Sequence, residues 1–388
     1  MTIENAEDIK EKVIFPVEDE KSSRYRTYSI LSYFIVLVII GLPVWWYTTR
    51  VYRADLPLTE MSNLELESKL SKQLGIPLSL EYDILISVVN PNPENLDLVL
   101  DAKLVGDAME PFFTNISSVA TFTVKSQWLY LIDIGVSPKK MDNGFLISEE
   151  QLPHIITPLE KNLWSHISPR PCLNLVLYVP PCSSSPLNIY KKVGKEFIKS
   201  ASNAMLSPNW GGIYIVNPTI EDCKNGRFQP ELDNIVSTFI TQLKMMFNLK
   251  DSRNHDDIKK LYKRKASNMI ESSKRTLKSL AQLLSEINSI VISDEVAQKI
   301  KISLESVENA ELYLKAEEID LALKFAKVAF NNSEKAFGDP SLLALLYFPD
   351  DQKYAVYIPL FLPIMIPVLM SILSIRKKLW KSKKAKTE

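Results

Sequence analysis

The chain has little of what most catalytic and metal sites use, with three cysteines and three histidines in 388 residues. Cys172, Cys182, Cys223, His154, His166 and His255 are therefore the whole supply for thiol or imidazole chemistry. None of the cysteines stands in a context that would activate it. Neither C-x-x-C nor H-x-x-x-H spacing occurs, so zinc ligation has no local signature. The only Gly-Gly pair lies in "NWGGIYIVNP", Asn209 to Pro218, and lacks the G-x-G-x-x-G or lysine-bearing pattern of phosphate loops. It reads as a tight turn entering a strand. Excess charge of either sign is missing too: 46 basic residues balance 46 acidic ones, so net charge draws the chain toward neither nucleic acid nor anionic lipid. No catalytic, cofactor-binding or metal-binding residue is assigned from these patterns, and no cofactor is expected.

What the chain does have is apolar length. Residues 27–49, "TYSILSYFIVLVIIGLPVWWYTT", and 354–375, "YAVYIPLFLPIMIPVLMSILSI", carry no charge. At about 1.5 Å rise per residue each reaches roughly 33 Å, enough for a hydrocarbon core of about 30 Å. Both are expected to be transmembrane helices. The first follows an acidic leader, exceeds the length of a signal-peptide core and lacks a small-x-small cleavage site, which predicts a retained anchor. Trp45, Trp46 and Tyr47 suit the headgroup layer, and Arg50 and Arg53 set the depth of the helix end, because a guanidinium in hydrocarbon costs at least about 2.5 kcal/mol.

The tail 376–388 holds Arg376, Lys377, Lys378, Lys381, Lys383, Lys384 and Lys386, whereas only Lys335 and Lys353 lie within twenty residues before the second run. The positive-inside bias puts that tail in the cytosol. Two spans return the N-terminal tail, 1–26, to the same side, which leaves one large domain in the lumen. The sequons at Asn115 and Asn331 fall in that region. Lysines third and fifth from the end resemble dilysine retrieval signals of the endoplasmic reticulum.

Between the spans, 55–225 reads as an α/β domain and 231–345 as a helical segment. In "LSLEYDILISVV" apolar residues from Leu78 to Val88 recur at period two, a strand, and "ATFTVKSQWLYLID" gives another. Between them "NPNPE" makes a turn and "LDLVLD" a further strand. "EEQLPHIITPLEKNLWSHI" and "NIYKKVGKEFIKSASNAM" are expected as helices, each before a short apolar strand. Beyond Pro230, Leu277, Leu280, Leu284 and Ile287 mark a long helix, and the alanine-rich stretch after Ser293 a helix hairpin. In an oxidising lumen Cys172 and Cys182 form a candidate disulfide, leaving Cys223 unpaired or joined to another chain; the sequence does not choose among pairings. In the second run Pro359, Pro363 and Pro367 fall every four residues, near one helix face. Each removes a backbone N–H and frees a carbonyl, so this stripe is expected to face a partner or a wet cavity.

At both membrane junctions the residues resemble one family. "GLPVWWYTTRVYRADLP" and, far downstream, "FGDPSLLALLYFPDDQKYAVYIPLFLPIMIPVLMSI" are similar to the PIG-S family of GPI transamidase subunits, and "NWGGIYIVNP" is similar to its lumenal domain. The resemblance implies a complex of the endoplasmic reticulum membrane that removes a C-terminal signal peptide and joins the new carboxyl terminus to glycosylphosphatidylinositol (GPI). It implies a cysteine nucleophile on the PIG-K subunit, and PIG-T, PIG-U and GAA1-like partners. This chain would be a non-catalytic component supporting assembly or substrate handling. Rival readings are a membrane-tethered lumenal hydrolase or transferase using a Cys/His site, and an anchored cell-surface adaptor whose basic tail meets anionic lipid.

Overall fold

The computed structural model describes residues 20–49, 52–66, 76–142, 144–193, 196–287, 290–343 and 350–384. Its contacts divide into two units. One comprises Leu56–Ser285 and Glu295–Phe337; the other contains the two apolar helices and Glu286–Asp294.

The larger unit is built on strands β1 (Glu81–Asn90), β2 (Thr121–Tyr130), β3 (Lys139–Met141), β4 (Gly144–Ser148), β5 (Cys172–Tyr178), β6 (Leu187–Val193), β7 (Glu196–Lys199), β8 (Ala204–Ser207) and β9 (Gly211–Ile215). The main sheet runs β2-β1-β5-β9-β8, parallel except for β8. A second sheet runs β3-β4-β6-β7. Helices α1 (Ala102–Asn115), α2 (Leu152–Glu160), α3 (Leu232–Met246), α4 (His255–Glu286), α5 (Asp294–Lys315) and α6 (Ile319–Phe337) complete the described framework. The mixed α/β part followed by helices agrees with the fold class read from the sequence.

Central strand β1 is buried from Tyr82 to Asn90, on both faces. On one face Leu85 and Val89 pack with Val176 and Tyr178 of β5, Ile147 of β4, Ile189 of β6, and Ile155 and Leu159 of α2. On the other, Tyr82 and Phe122 stack, with Phe113 and Phe247 against Phe122. Gly106 of α1 brings that helix close to β2, since a Cβ there would stand 3.1 Å from Val124. Burial of β1 on both faces is the usual state of a central strand in a parallel sheet covered by helices.

Two local expectations change. Residues 188–205, expected as helix, instead contribute to strands β6, β7 and β8; β6 and β7 pair antiparallel, with Lys192 opposite Phe197 and Val193 opposite Glu196. Leu187 and Ile189 share one face of β6, whereas Phe197, opposite Lys192, lies on the other, so apolar residues that read together as a helix face are divided between the two faces of the strands. Pairing of β6 with β4 decides the matter. "LDLVLD" yields only the two-residue strand Asp97–Leu98, paired with Arg227–Phe228. Ahead of β1, Leu58–Ser62 is a short helix, and residues 67–75 lie outside the described set.

The predicted hairpin is present as α5 and α6. It turns through Glu317 at φ 59°. Tyr313 stacks on Phe325 at 5.3 Å, and Ser303 Oγ donates to the Ala329 carbonyl at 2.8 Å.

Candidate functional site

The thiols are placed differently from the expected pairing. Cys182 is bonded to Cys223, with Cα atoms 5.8 Å apart, which ties the loop after β5 to the helix Ile220–Asn225. Cys172 opens β5 and Cys182 lies beyond its far end. At about 3.3 Å per residue the seven-residue strand holds them roughly 20 Å apart, and a disulfide needs Cα atoms within about 7 Å. Cys172 is thus the free thiol. Burial, and then the neighbouring Asp83 carboxylate, push its pKa up to about 12. Such a thiol is not poised for nucleophilic attack at neutral pH. His154 and His255 are exposed on separate helices, α2 and α4.

The most concentrated polar group is one the sequence did not single out. Asp83 is 1% exposed near the start of β1. Its Oδ2 accepts from Lys125 Nζ at 2.7 Å and from Ser168 Oγ at 2.6 Å, and Arg170 Nη1 stands 3.7 Å from Oδ1. Burial alone would raise the carboxyl pKa; the bonds from Lys125 and Ser168, and the charges of Lys125 and Arg170, outweigh it and hold the pKa below the usual range. Lys125 also lies 4.0 Å over the Trp164 ring, and Arg170 pairs with Glu81 at 2.6 Å. Every charge is compensated, so the cluster pins residues 168–171 to the sheet.

"NWGG" likewise acts through packing. A Cβ at Gly211 would stand 1.9 Å from the Asn174 carbonyl oxygen, and one at Gly212 would stand 2.3 Å from the Gln242 carboxamide. The two glycines admit the β5 backbone on one side and Gln242 of α3 on the other. Gln242 Nε2 donates to the carbonyls of Met205 and Ile213, both at 3.1 Å, clamping β8 to β9.

Buried Lys265 of α4 donates to Tyr82 Oη at 2.9 Å, and that hydroxyl donates to the Pro77 carbonyl at 2.6 Å. Burial first, then the charge of Lys327, lower the lysine pKa to about 7.

In the smaller unit, Thr27–Tyr47 is long and apolar enough to cross a bilayer. It is α-helical over Glu20–Phe34 and Leu42–Thr49, with π-helix at Ile35–Gly41 between. The C-terminal helix, Asp350–Lys384, contains Ala355–Pro363 and Met365–Leu373, which are bent by 47° and together pass the same length-and-polarity test. Trp45 meets Tyr357 and Phe361 edge-on at 5.9 and 6.3 Å, so one tryptophan packs on the C-terminal helix while Trp46 and Tyr47 are exposed. Pro359, Pro363 and Pro367 are exposed. Two residues along a helix is about 200°, so Pro359 points away from Tyr357 and Phe361. Arg53 Nη1 donates to the Ile287 carbonyl at 3.3 Å; Arg50 lies outside the described residues. Asn115 is exposed at the end of α1, whereas Asn331 is half-buried within α6, two residues before the fully buried Ser333.

A family model described as "Phosphatidylinositol-glycan biosynthesis class S protein" matches residues 32–79 and 66–382. Among curated proteins, the chain is 35% identical over 345 residues to the Bos taurus "GPI-anchor transamidase component PIGS", covering 81% of this chain and 61% of the relative. It is 34% identical to the Homo sapiens protein of that name, covering 80% of this chain and 60% of the relative. The Schizosaccharomyces pombe "GPI transamidase component PIG-S homolog" is 27% identical, with 81% and 57% covered. The chain thus spans about 60% of the length of the curated relatives it matches.

Proposed function

Since the chain belongs to the PIG-S family, we propose that it is a non-catalytic membrane subunit of a GPI transamidase, the complex that attaches preformed GPI to the C-terminus of precursor proteins in the endoplasmic reticulum. The observation that carries this reading is the family match, which runs from the first apolar helix to the basic end of the second. In this reading the two apolar helices cross the membrane, both tails are cytosolic and the larger unit is lumenal. Its partners are the PIG-K, PIG-T, PIG-U and GAA1-like subunits, and catalysis belongs to PIG-K.

The chemistry of this chain supports a bracket more than an active centre. Two of its three thiols are joined to each other, and the third is held protonated by burial and a carboxylate. Asp83 is neutralised by the lysine and arginine around it. The exposed Pro359, Pro363 and Pro367 offer a partner-facing stripe whose freed carbonyls can accept from another subunit's helix.

Affinity purification of the tagged full chain in mild detergent tests the proposal. The other transamidase subunits are expected among the co-purifying proteins, and depletion of the chain is expected to abolish GPI attachment. Normal attachment in depleted cells would overturn it.

A further inference from the structure

The cleft beside the edges of the two sheets holds a cavity of about 680 Å³, a size typical of ligand sites. One wall is a consecutive run, Ala204 to Pro208. Successive side chains of a strand point to opposite faces, so a run without alternation places the cavity along the edge of β8 and not over one face. The facing walls come from Ile189 and Lys191 on one face of β6, from Leu152, Pro153 and Ile156 of α2, and from Glu149 and the end of β7 at Ile198 to Ser200.

Among the described residues β8 pairs with β9 alone. Ile215 N–H donates to the Asn203 carbonyl at 3.1 Å, and Met205 stands opposite Ile213 two residues on. Alternate residues of an antiparallel ladder bond the partner. Met205 therefore directs its main-chain groups toward β9, and Ala204 and Leu206 direct theirs outward, along the cavity. Asn203 fixes this corner: at φ 46° it accepts from Ile189 N–H at 2.9 Å and donates to the carbonyls of Leu187 and Ile215. The cavity rim carries the exposed Lys199, and Lys191, whose exposed Nζ stands 3.7 Å from Glu149.

We propose that this cleft takes a short extended segment of another polypeptide, which adds as a strand to the outer edge of β8. Its alternate apolar side chains rest on Ile189, Leu152 and Ile156, and a carboxylate stands beside Lys199. Unpaired N–H and C=O groups at alternate residues match an extended main chain. A lipid chain over the same edge would bury those groups without partners, which is unfavourable. Glu149 of the same rim balances Lys191, so the preference for an acidic segment over a basic one comes from Lys199. This site extends the transamidase reading and does not depend on it.

The test uses the full chain in nanodiscs and a fluorescein-labelled peptide, acetyl-Glu-Val-Thr-Val-Glu-amide, followed by anisotropy. Saturable binding is expected. N-methylation of one alternate set of peptide amides is expected to weaken it at least about tenfold, and methylation of the other set to leave it unchanged, because a single edge of the added strand bonds β8. Lysine in place of both glutamates, or Lys199→Glu at the exposed rim, is expected to weaken it by a similar factor. Leu206→Pro removes one outward N–H and no bond to β9, and is expected to abolish binding while the thermal transition persists. Binding indifferent to both methylation patterns, binding retained in L206P, or none at about 1 mM peptide overturns the proposal.

Discussion

Lys265 is the residue whose chemistry departs furthest from its surroundings: a buried ammonium hydrogen-bonded to a tyrosine hydroxyl. Its pKa falls from 10.5 to about 7 in the folded chain. Between those values the unfolded chain holds a proton that the folded chain has released, so stability rises with pH across that window by at most about 1.4 kcal/mol per unit. Below pH 7 the full cost of burying the charge is present. Lys265→Met is expected to raise the melting temperature at pH 6 and to flatten its rise toward pH 9; parallel melts of the full chain at pH 6, 7.5 and 9 read both effects. The thiols divide in the same way. Cys182→Ser is expected to cost about 2–4 kcal/mol in denaturant titration, whereas Cys172→Ser is expected to keep GPI attachment intact in complemented cells. At this scale the sequence singles out residues by their own chemistry, such as Trp46 and Tyr47, both of which are exposed. It was not legible for Asp83, Gln242 or Lys265, whose partners Lys125, Gly212 and Tyr82 stand 30 or more residues away and meet only when the sheet forms.

Elements with a single periodicity came through. β1 and β2 carry apolar residues at period two, Tyr82, Ile84, Ile86 and Val88 in one and Phe122, Val124, Trp128 and Tyr130 in the other, and pair in continuous register from Glu81 with Thr121 to Asn90 with Tyr130. β6 and β7 did not, because their apolar residues are divided between two faces and only pairing with β4 and with each other resolves them. The disulfide was unreadable for a related reason: strand β5 carries its two flanking cysteines to opposite ends. Helix context also separates the two sequons. Asn115, exposed at the end of α1, is expected to carry a glycan, so Asn115→Gln should remove a glycosidase-sensitive shift on gels. Asn331→Gln, half-buried within α6 beside Ser333, is expected to leave mobility unchanged. In the C-terminal helix, changing Pro359, Pro363 and Pro367 together to leucine restores the missing N–H groups. The altered chain is expected to recover markedly less of the other subunits on affinity purification; full recovery would remove the proline stripe as a contact.

For the whole molecule, the apolar runs and the basic tail stand in the sequence itself, because length and charge need no tertiary knowledge to be read. Protease added outside sealed microsomes is expected to trim only the two tails and leave a protected fragment that contains residues 56–337. Cleavage inside that stretch would reverse the proposed orientation. The pairing of Trp45 with Tyr357 and Phe361 has a separate consequence. Those rings join positions more than 300 residues apart in sequence, so the backbone and this aromatic clasp together close a hoop. A chain nicked once at an exposed loop should still migrate intact in mild detergent, held by this contact together with the strand pairing of the sheets and the Cys182–Cys223 bond.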